Sequence, residues 1–192
     1  MPTNPNNANI KLFEKLVKSI DRDRIEILIT WLREDTDFYI APASTRYHGA
    51  EEGGLLRHSL CVYKNLLALR PPSVDYSLDT LKIVSLFHDL CKTNFYSVST
   101  KNRKNPETGT WETVPYYTVD EQLPYGSHGG KSVYLLMSHG LSLTPEEVIA
   151  INNHMGAWDY TTYHNPSNAF DKYPLAVYLH VADIMATYID KM

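Results

Sequence analysis

The chain has 192 residues, 43% of them hydrophobic and 21% charged, a balance that supports one ordinary globular core without disulfide staples. Its formal net charge of −4 excludes a basic coat for extended duplex DNA, because such binding rests on phosphate neutralisation over a positive face; a small anionic substrate held locally by a metal and a few basic groups stays open. The two cysteines, Cys61 and Cys91, both lie in apolar helical runs, which excludes a disulfide framework and a CxxC zinc site and reads as reduced, buried thiols.

In chain order, the Asn- and Pro-rich residues 1–9 predict a frayed start, and MPTNPNNANIK holds no apolar stretch of the kind a secretory leader needs. Ile10, Phe13, Leu16, Val17 and Ile20 recur at helical spacing, and Asp21 is placed to cap a second helix carrying Ile25, Leu28, Ile29 and Leu32. The stretch DTDFYIAPASTRYHGAEEGG reads as a loop, long enough to suggest function. A helix over 55–69 is stopped by Pro71 and Pro72, and a strongly apolar helix, LDTLKIVSLFHDLCK, covers 78–92. FYSVSTKNRK and WETVPYYTV, on either side of the turn composition NPETGT, predict a β-hairpin near 95–120. A helix opens at Ser127 or the turn after it and runs to about 138. Thr144-Pro-Glu-Glu predicts a capped start for a helix to about 153, and a last helix spans 174–189 after a loop rich in Asn, Tyr and Trp. The expected fold class is all-α, about seven helices in one domain over 1–192 with one inserted hairpin. No apolar run approaches the roughly 20 residues that cross a bilayer, so the expectation is a cytoplasmic protein with no membrane partner.

The strongest chemical signal is the adjacent pair His88-Asp89 inside an apolar helix, flanked by Phe87 and Leu90. A charged Asp is almost never buried without a partner. Alone, the pair reads better as a structural hydrogen-bonded pair than as a metal site. The rest of the chain adds His58 on the preceding helix, His128 at a helix start, His154 at a helix end and Asp183 on the last helix. Several helices thus each offer one imidazole or carboxylate, a donor set suited to divalent first-row metals (Mn, Fe, Ni, Co or Zn), with Mg also open.

The order His…His-Asp…His…His…Asp, carried by GGLLRHSLCVY, SLFHDLCK, GSHGGKS, INNHMG and HVADIMATY, resembles the HD superfamily of metal-dependent phosphohydrolases. GGLLRHSLCVY is similar to a segment in the HD domain of a bacterial 3′-to-5′ exoribonuclease branch. The longer run TDFYIAPASTRYHGAEEGGLLRHSLCVY, with LPYGSHGGKSVYLL and INNHMGAWDY, resembles small stand-alone HD proteins, many of them viral or prophage-encoded. The resemblance implies an HD-type helical bundle. It implies that His58, His88, Asp89 and Asp183 form the four-residue metal site common to the superfamily. It further implies that His128 and His154 are the two extra histidines of two-metal members, with Asp89 bridging the ions. Lys92 matches the basic residue of the HDxxK variant and would face a phosphate. Two departures stand out: Ser127 precedes His128 where relatives often carry Gly, and nothing in the chain corresponds to the separate nucleic-acid-binding domain of the exoribonuclease branch.

The chemistry so implied is attack of a metal-bound hydroxide on phosphorus, in a nucleotide or short oligonucleotide, with one or two ions and with Asp89 and Lys92 as catalytic residues. Lys101, Arg103 and Lys104 form a basic cluster on the hairpin that reads either as a substrate contact or as a solvated turn. Arg46 and His48 are further candidates for the substrate cleft or else ordinary loop residues, and His139 and His164 read as surface or capping residues. Two other functions share the ligand order: a di-iron oxygenase of the inositol oxygenase type, and a non-catalytic metal- or nucleotide-binding module.

Overall fold

A computed structural model describes residues 5–45, 49–69, 75–119, 126–158 and 166–191. Among these, eight α-helices surround one another and a single two-stranded hairpin stands apart: α1 (Pro5–Lys18), α2 (Ile25–Glu34), α3 (Gly54–Leu69), α4 (Leu78–Phe87), β1 (Tyr96–Lys104), β2 (Trp111–Val119), α5 (His128–Ser138), α6 (Pro145–Asn153), α7 (Ser167–Lys172) and α8 (Pro174–Ile184). The mostly helical fold and the hairpin agree with the sequence expectation, with one helix more than the seven expected because α7 occupies part of the stretch read as loop. No described helix is long and apolar enough to cross a membrane.

The centre of the bundle is α4. Ser77 caps it by accepting from the Thr80 amide at 3.1 Å, and every residue from Leu81 to Phe87 is buried. A stretch buried all round, Lys82 and Ser85 included, has no solvent face, so its neighbours must cover it on every side. Helices α3, α6 and α1 do so, and α8 and α5 complete the ring through α3 and α6. The Phe13 ring meets Phe38 at 4.9 Å and the edge of Phe87 at 5.8 Å in this core, which fixes α1 against both the loop after α2 and α4.

The expected cap of α6 is present as a reciprocal capping box. The Glu147 amide donates to Thr144 Oγ1 at 3.2 Å, and Glu147 Oε2 accepts from the Thr144 amide at 2.8 Å. Glu147 is fully buried and does more than cap. Its other oxygen takes Arg22 Nη2 and Thr80 Oγ1, both at 2.8 Å, which ties the loop before α2 and the start of α4 to α6.

Several expectations need correction. Residues 1–9 are not a frayed segment throughout, since α1 begins at Pro5, and Asn6 Nδ2 donates to the Tyr39 carbonyl at 3.0 Å. Asp21 does not cap α2. The residue before that helix is Arg24, in a left-handed conformation with no side-chain cap, while the Asp21 amide donates to Asp79 across the bundle. The helix expected over 78–92 ends at Phe87. There His88 Nδ1 bonds the Ser85 carbonyl at 2.8 Å and Asp89 turns to φ −100°, ψ 19°. A single 3-10 turn, Leu90–Lys92, follows. The last helix changes pitch in the same way, α8 passing into a π-helical turn over Met185–Ile189. That turn is pinned to α3, because Asp190 accepts from Asn65 Nδ2 at 2.8 Å and lies 3.3 Å from the half-buried Cys61 thiol. Pro71, Pro72, Arg46, His48 and His164 lie outside the described residues.

The hairpin is held at its root by Asn94, whose φ of +52° suits Asn better than most residues. Its amide donates to Asp37 Oδ1, its side-chain oxygen accepts from the Asp37 amide, and its Nδ2 reaches the Asp35 carbonyl. These three bonds tie the start of the hairpin to the turn after α2, and the Tyr96 hydroxyl adds a bond to the Ala43 carbonyl at 3.3 Å.

Candidate metal centre

Two helix ends supply the heart of the site. His88 follows the last residue of α4 and His154 follows the last residue of α6. Each ring turns its Nδ1 back onto the carbonyl three residues earlier: His88 onto Ser85 at 2.8 Å, His154 onto Ile151 at 2.7 Å. A carbonyl can only accept, so Nδ1 carries the hydrogen. In the neutral ring Nε2 then presents its lone pair, the arrangement that orients histidine ligands for metals. Both helix C-termini also point partial negative charge at the same place, which favours a cation there.

His58 from α3, Asp89 from the turn after α4, and Asp183 from α8 converge on these two rings. His58 Nε2 lies 3.0 Å from Asp183 Oδ1, 3.3 Å from His88 Nε2 and 3.5 Å from Asp89 Oδ2. His154 Nε2 lies 3.5 Å from Asp89 Oδ1. The result is two overlapping groups suited to hold a metal ion, His58–His88–Asp183 and His88–Asp89–His154, with His88 common to both. His58, His88, Asp89 and His154 are at most 2% exposed.

The polar accounting points the same way. Asp89 Oδ1 and His154 Nε2 are buried, and neither makes a hydrogen bond with a described residue. Each such atom costs about 1–3 kcal/mol if nothing meets it. Buried groups of this kind are rare enough to demand a reason. The donor set of imidazole nitrogens and carboxylate oxygens and these two converging atoms fit a divalent metal.

The charges are strongly coupled. Burial pushes the His88 imidazolium down to about 4, so the ring is neutral at pH 7. Burial alone would raise Asp89, but Lys92, then His88 and His154, hold its carboxyl well below the usual range. Burial likewise works against the Lys92 ammonium, and the Asp89 carboxylate at 2.6 Å reverses it, raising Lys92. Burial opposes charge on His154 as well, yet Asp89 outweighs it and shifts the ring upward. Asp89 therefore favours positive charge between its Oδ1 and His154. Asp183 is held low against burial, mainly by His58.

Five of the six expected metal ligands come together in this way, and His128 does not. It belongs to neither group; its Nδ1 lies 3.3 Å from the buried Cys91 thiol, and its ring meets the edge of Phe95. Next to it Gly129, whose Cβ would collide with the Ile151 carbonyl and Asn152, lets the start of α5 lie directly on α6. Lys92 sits beside Asp89 as expected, but through the 3-10 turn rather than one face of a continuous helix. Lys101, Arg103 and Lys104 do not form one patch. In the antiparallel register Lys101 and Arg103 project from one face of the hairpin and Lys104 from the other, because alternate residues of a strand point opposite ways. His139 is the residue after α5 and bonds Leu135 O at 2.8 Å, as a capping residue should, while stacking on Trp31.

Three nearby residues escape sequence reading. His180, one turn before Asp183 on α8, lies with its Nδ1 2.6 Å from the His154 carbonyl. Its ring fills the space that a side chain at Gly156 would need, a Cβ there falling 2.6 Å from it. Only the spacing of His180 and Asp183 on one helix face could have flagged it. Lys131 is buried on α5 with its ammonium over the Phe95 ring at 5.2 Å, and Tyr96 at the hairpin root feels the charges of Lys92 and Asp89. No family model, curated protein or solved structure matches the chain.

Proposed function

We propose that the chain is a metal-dependent phosphohydrolase of the HD type, acting on phosphoesters of the nucleotide class. The observation that carries this reading is the meeting of the two ligand groups at His88 beside a half-buried ammonium, Lys92, 2.6 Å from Asp89 and 13% exposed. An oxygenase or a purely structural metal site has no need of a cation at that position, whereas a phosphoryl group carries the charge that such a cation offsets. The motif resemblance supports the same assignment.

In this reading His58, His88, Asp89, His154 and Asp183 are the residues that would hold one or two divalent ions. A bound ion would supply Lewis-acid chemistry, polarising a phosphoryl oxygen and acidifying a bound water. The chain's own contribution is orientation. The backbone carbonyls of Ser85 and Ile151 fix two rings, the carboxylates of Asp89 and Asp183 set the charge, and Lys92 waits at the edge to bind a phosphoryl oxygen.

The test is hydrolysis of bis(p-nitrophenyl) phosphate by metal-stripped protein to which Mn²⁺ is restored, with oxygen consumption followed in parallel. Manganese-dependent release of p-nitrophenolate, abolished in Asp89→Ala and without oxygen uptake, is the expected result. Oxygen uptake without ester cleavage would instead assign an oxygenase. Tight metal binding with neither activity on any phosphoester would assign a binding module.

A further inference from the structure

The hairpin has two unlike faces. Cross-strand partners share a face, so the register groups Tyr96, Val98, Thr100, Asn102 and Lys104 with Val119, Tyr117, Pro115, Thr113 and Trp111. This face carries no carboxylate, and its single charge is positive. The opposite face spends its cations differently: Lys101 lies over the Tyr116 ring at 4.9 Å, and Arg103 is paired in register with Glu112. The innermost residue of the first face, Tyr96, follows Lys92 of the metal centre by only four positions, and its hydroxyl donates to the Ala43 carbonyl at 3.3 Å. The Tyr117 ring follows 6.3 Å away. Farther out, Val98 is 66% exposed and Trp111, registered against Lys104 at the tip, is 72% exposed. A large indole left in solvent beside a lysine, on a face without a carboxylate, is a surface on which a flat base can stack next to its phosphate.

We infer that this face is a stacking track for single-stranded nucleic acid, which leads a strand end from Trp111 and Lys104 past Tyr117 to the metal centre. The inference rests on the phosphoester reading for what happens at the inner end, and it narrows the substrate from nucleotides in general to oligonucleotides. Length is the discriminating quantity. From Tyr96 to Lys104 the strand advances eight residues at about 3.4 Å each, roughly 27 Å. At about 3.4 Å per stacked nucleotide this is about eight nucleotides. A mononucleotide at the metal centre therefore cannot touch Trp111, whereas an octamer can.

The experiment measures binding of 5′-fluorescein-labelled oligothymidylates of two, four, eight and twelve nucleotides to the intact protein by anisotropy at low salt. Hydrolysis of bis(p-nitrophenyl) phosphate is measured separately. Affinity should rise with length up to about eight nucleotides and then level off. Trp111→Ala should weaken the octamer about 30-fold, the middle of the range for loss of one stacked base, and leave the dimer and the small ester unchanged. Trp111→Tyr should restore most of the octamer affinity. Lys104→Gln should weaken the octamer and flatten its salt dependence. These substitutions are at exposed positions, and an unchanged melting temperature identifies a loss as one of binding. Octamer binding that is weak at every length, or equal in wild type and Trp111→Ala, overturns the inference even if the small ester is hydrolysed. A Trp111→Ala change that converts a dimer to a monomer in gel filtration without altering oligonucleotide affinity overturns it too, and makes the face a contact between copies. If the track binds as expected while no phosphoester is cleaved, the inference about the surface stands and the reading of the metal centre fails.

Discussion

The metal centre and the hairpin differ in how their side chains are held. At the centre, His58, His88, Asp89 and His154 are buried and Asp183 is half-buried, and the two histidines at helix ends are locked by their own backbone three residues back. On the hairpin, orientation comes from strand alternation alone, and most of the side chains from Val98 outward are in solvent. The first arrangement suits chemistry, where a misplacement of an ångström is costly. The second suits recognition, where partners vary and each contact contributes little. Substitutions should therefore change metal content and stability at the centre but only affinity on the hairpin.

The largest effect is expected for Asp89→Ala. It removes a metal ligand and leaves the half-buried Lys92 ammonium without its partner, a loss of about 3–5 kcal/mol in stability of the metal-free protein for a broken buried pair. Elemental analysis should find no tightly held metal. Addition of Mn²⁺ should raise the melting temperature of wild type, by a gain of about 2.7 kcal/mol at one hundred times the dissociation constant, and leave that of the variant unmoved. A wild-type metal content in Asp89→Ala would break the comparison at its centre.

Glu147→Gln separates stability from metal binding. Its carboxylate joins Arg22, Thr80 and the cap of α6 far from the ligands' ring nitrogens, so chemical denaturation should register a loss of about 3 kcal/mol with cation affinity unchanged. A parallel loss of affinity would mean that the position of α6, and with it His154, depends on that clamp.

The third effect concerns His180, which would act through His154 and is thus a positioning residue. His180→Phe keeps a ring and loses the bond to the His154 carbonyl, and cation affinity measured by calorimetry should fall about 10–100-fold, the range seen for partners of metal ligands. His180→Asn, with an amide placed where Nδ1 was, should recover most of it. Equal affinity in all three proteins would show that the turn after α6 is rigid without His180.

Lys92→Gln should lower kcat on a small phosphoester with little change in KM, because its ammonium is placed to meet charge that grows in the transition state. The smallest effect on stability belongs to the hairpin. Changing Lys101, Arg103 and Lys104 together to Ala should shift stability by no more than about 0.5 kcal/mol per site, as surface substitutions do, while KM for oligonucleotides rises at nearly constant kcat. Given the two faces, most of that rise should come from Lys104.

The helical segments were legible because apolar spacing at Phe13, Val17 and Ile20, or at Ile25, Leu28, Ile29 and Leu32, reports burial directly, and these residues are buried. The cap at Thr144 was legible because its partners lie three residues away. The hairpin was legible from its β-branched and aromatic runs around a turn. What stayed hidden depends on contacts distant in sequence or on a single backbone angle. The end of α4 at Phe87 follows from one side chain taking the Ser85 carbonyl, which no periodicity reveals. Three histidines, His88, His139 and His154, sit just past a helix end with Nδ1 near a carbonyl of that helix, and only the tertiary fold separates the two that reach the centre from the one that stacks on Trp31. His128 has the helix position of a ligand in the sequence, but its Nδ1 lies 3.3 Å from the Cys91 thiol and it belongs to neither ligand group, which only the tertiary fold reveals. The basic cluster on the hairpin was visible in one dimension and divides in three.

The most direct measurement is anomalous diffraction at the manganese edge from crystals grown with saturating Mn²⁺. A peak bounded by His58, His88 and Asp183, by His88, Asp89 and His154, or by both with about 3.5–4 Å between two ions, is the predicted result. Manganese bound only elsewhere on the protein, with Asp89 Oδ1 and His154 Nε2 joined by a proton and no peak among the five ligands, would contradict the metal centre and with it the proposed chemistry.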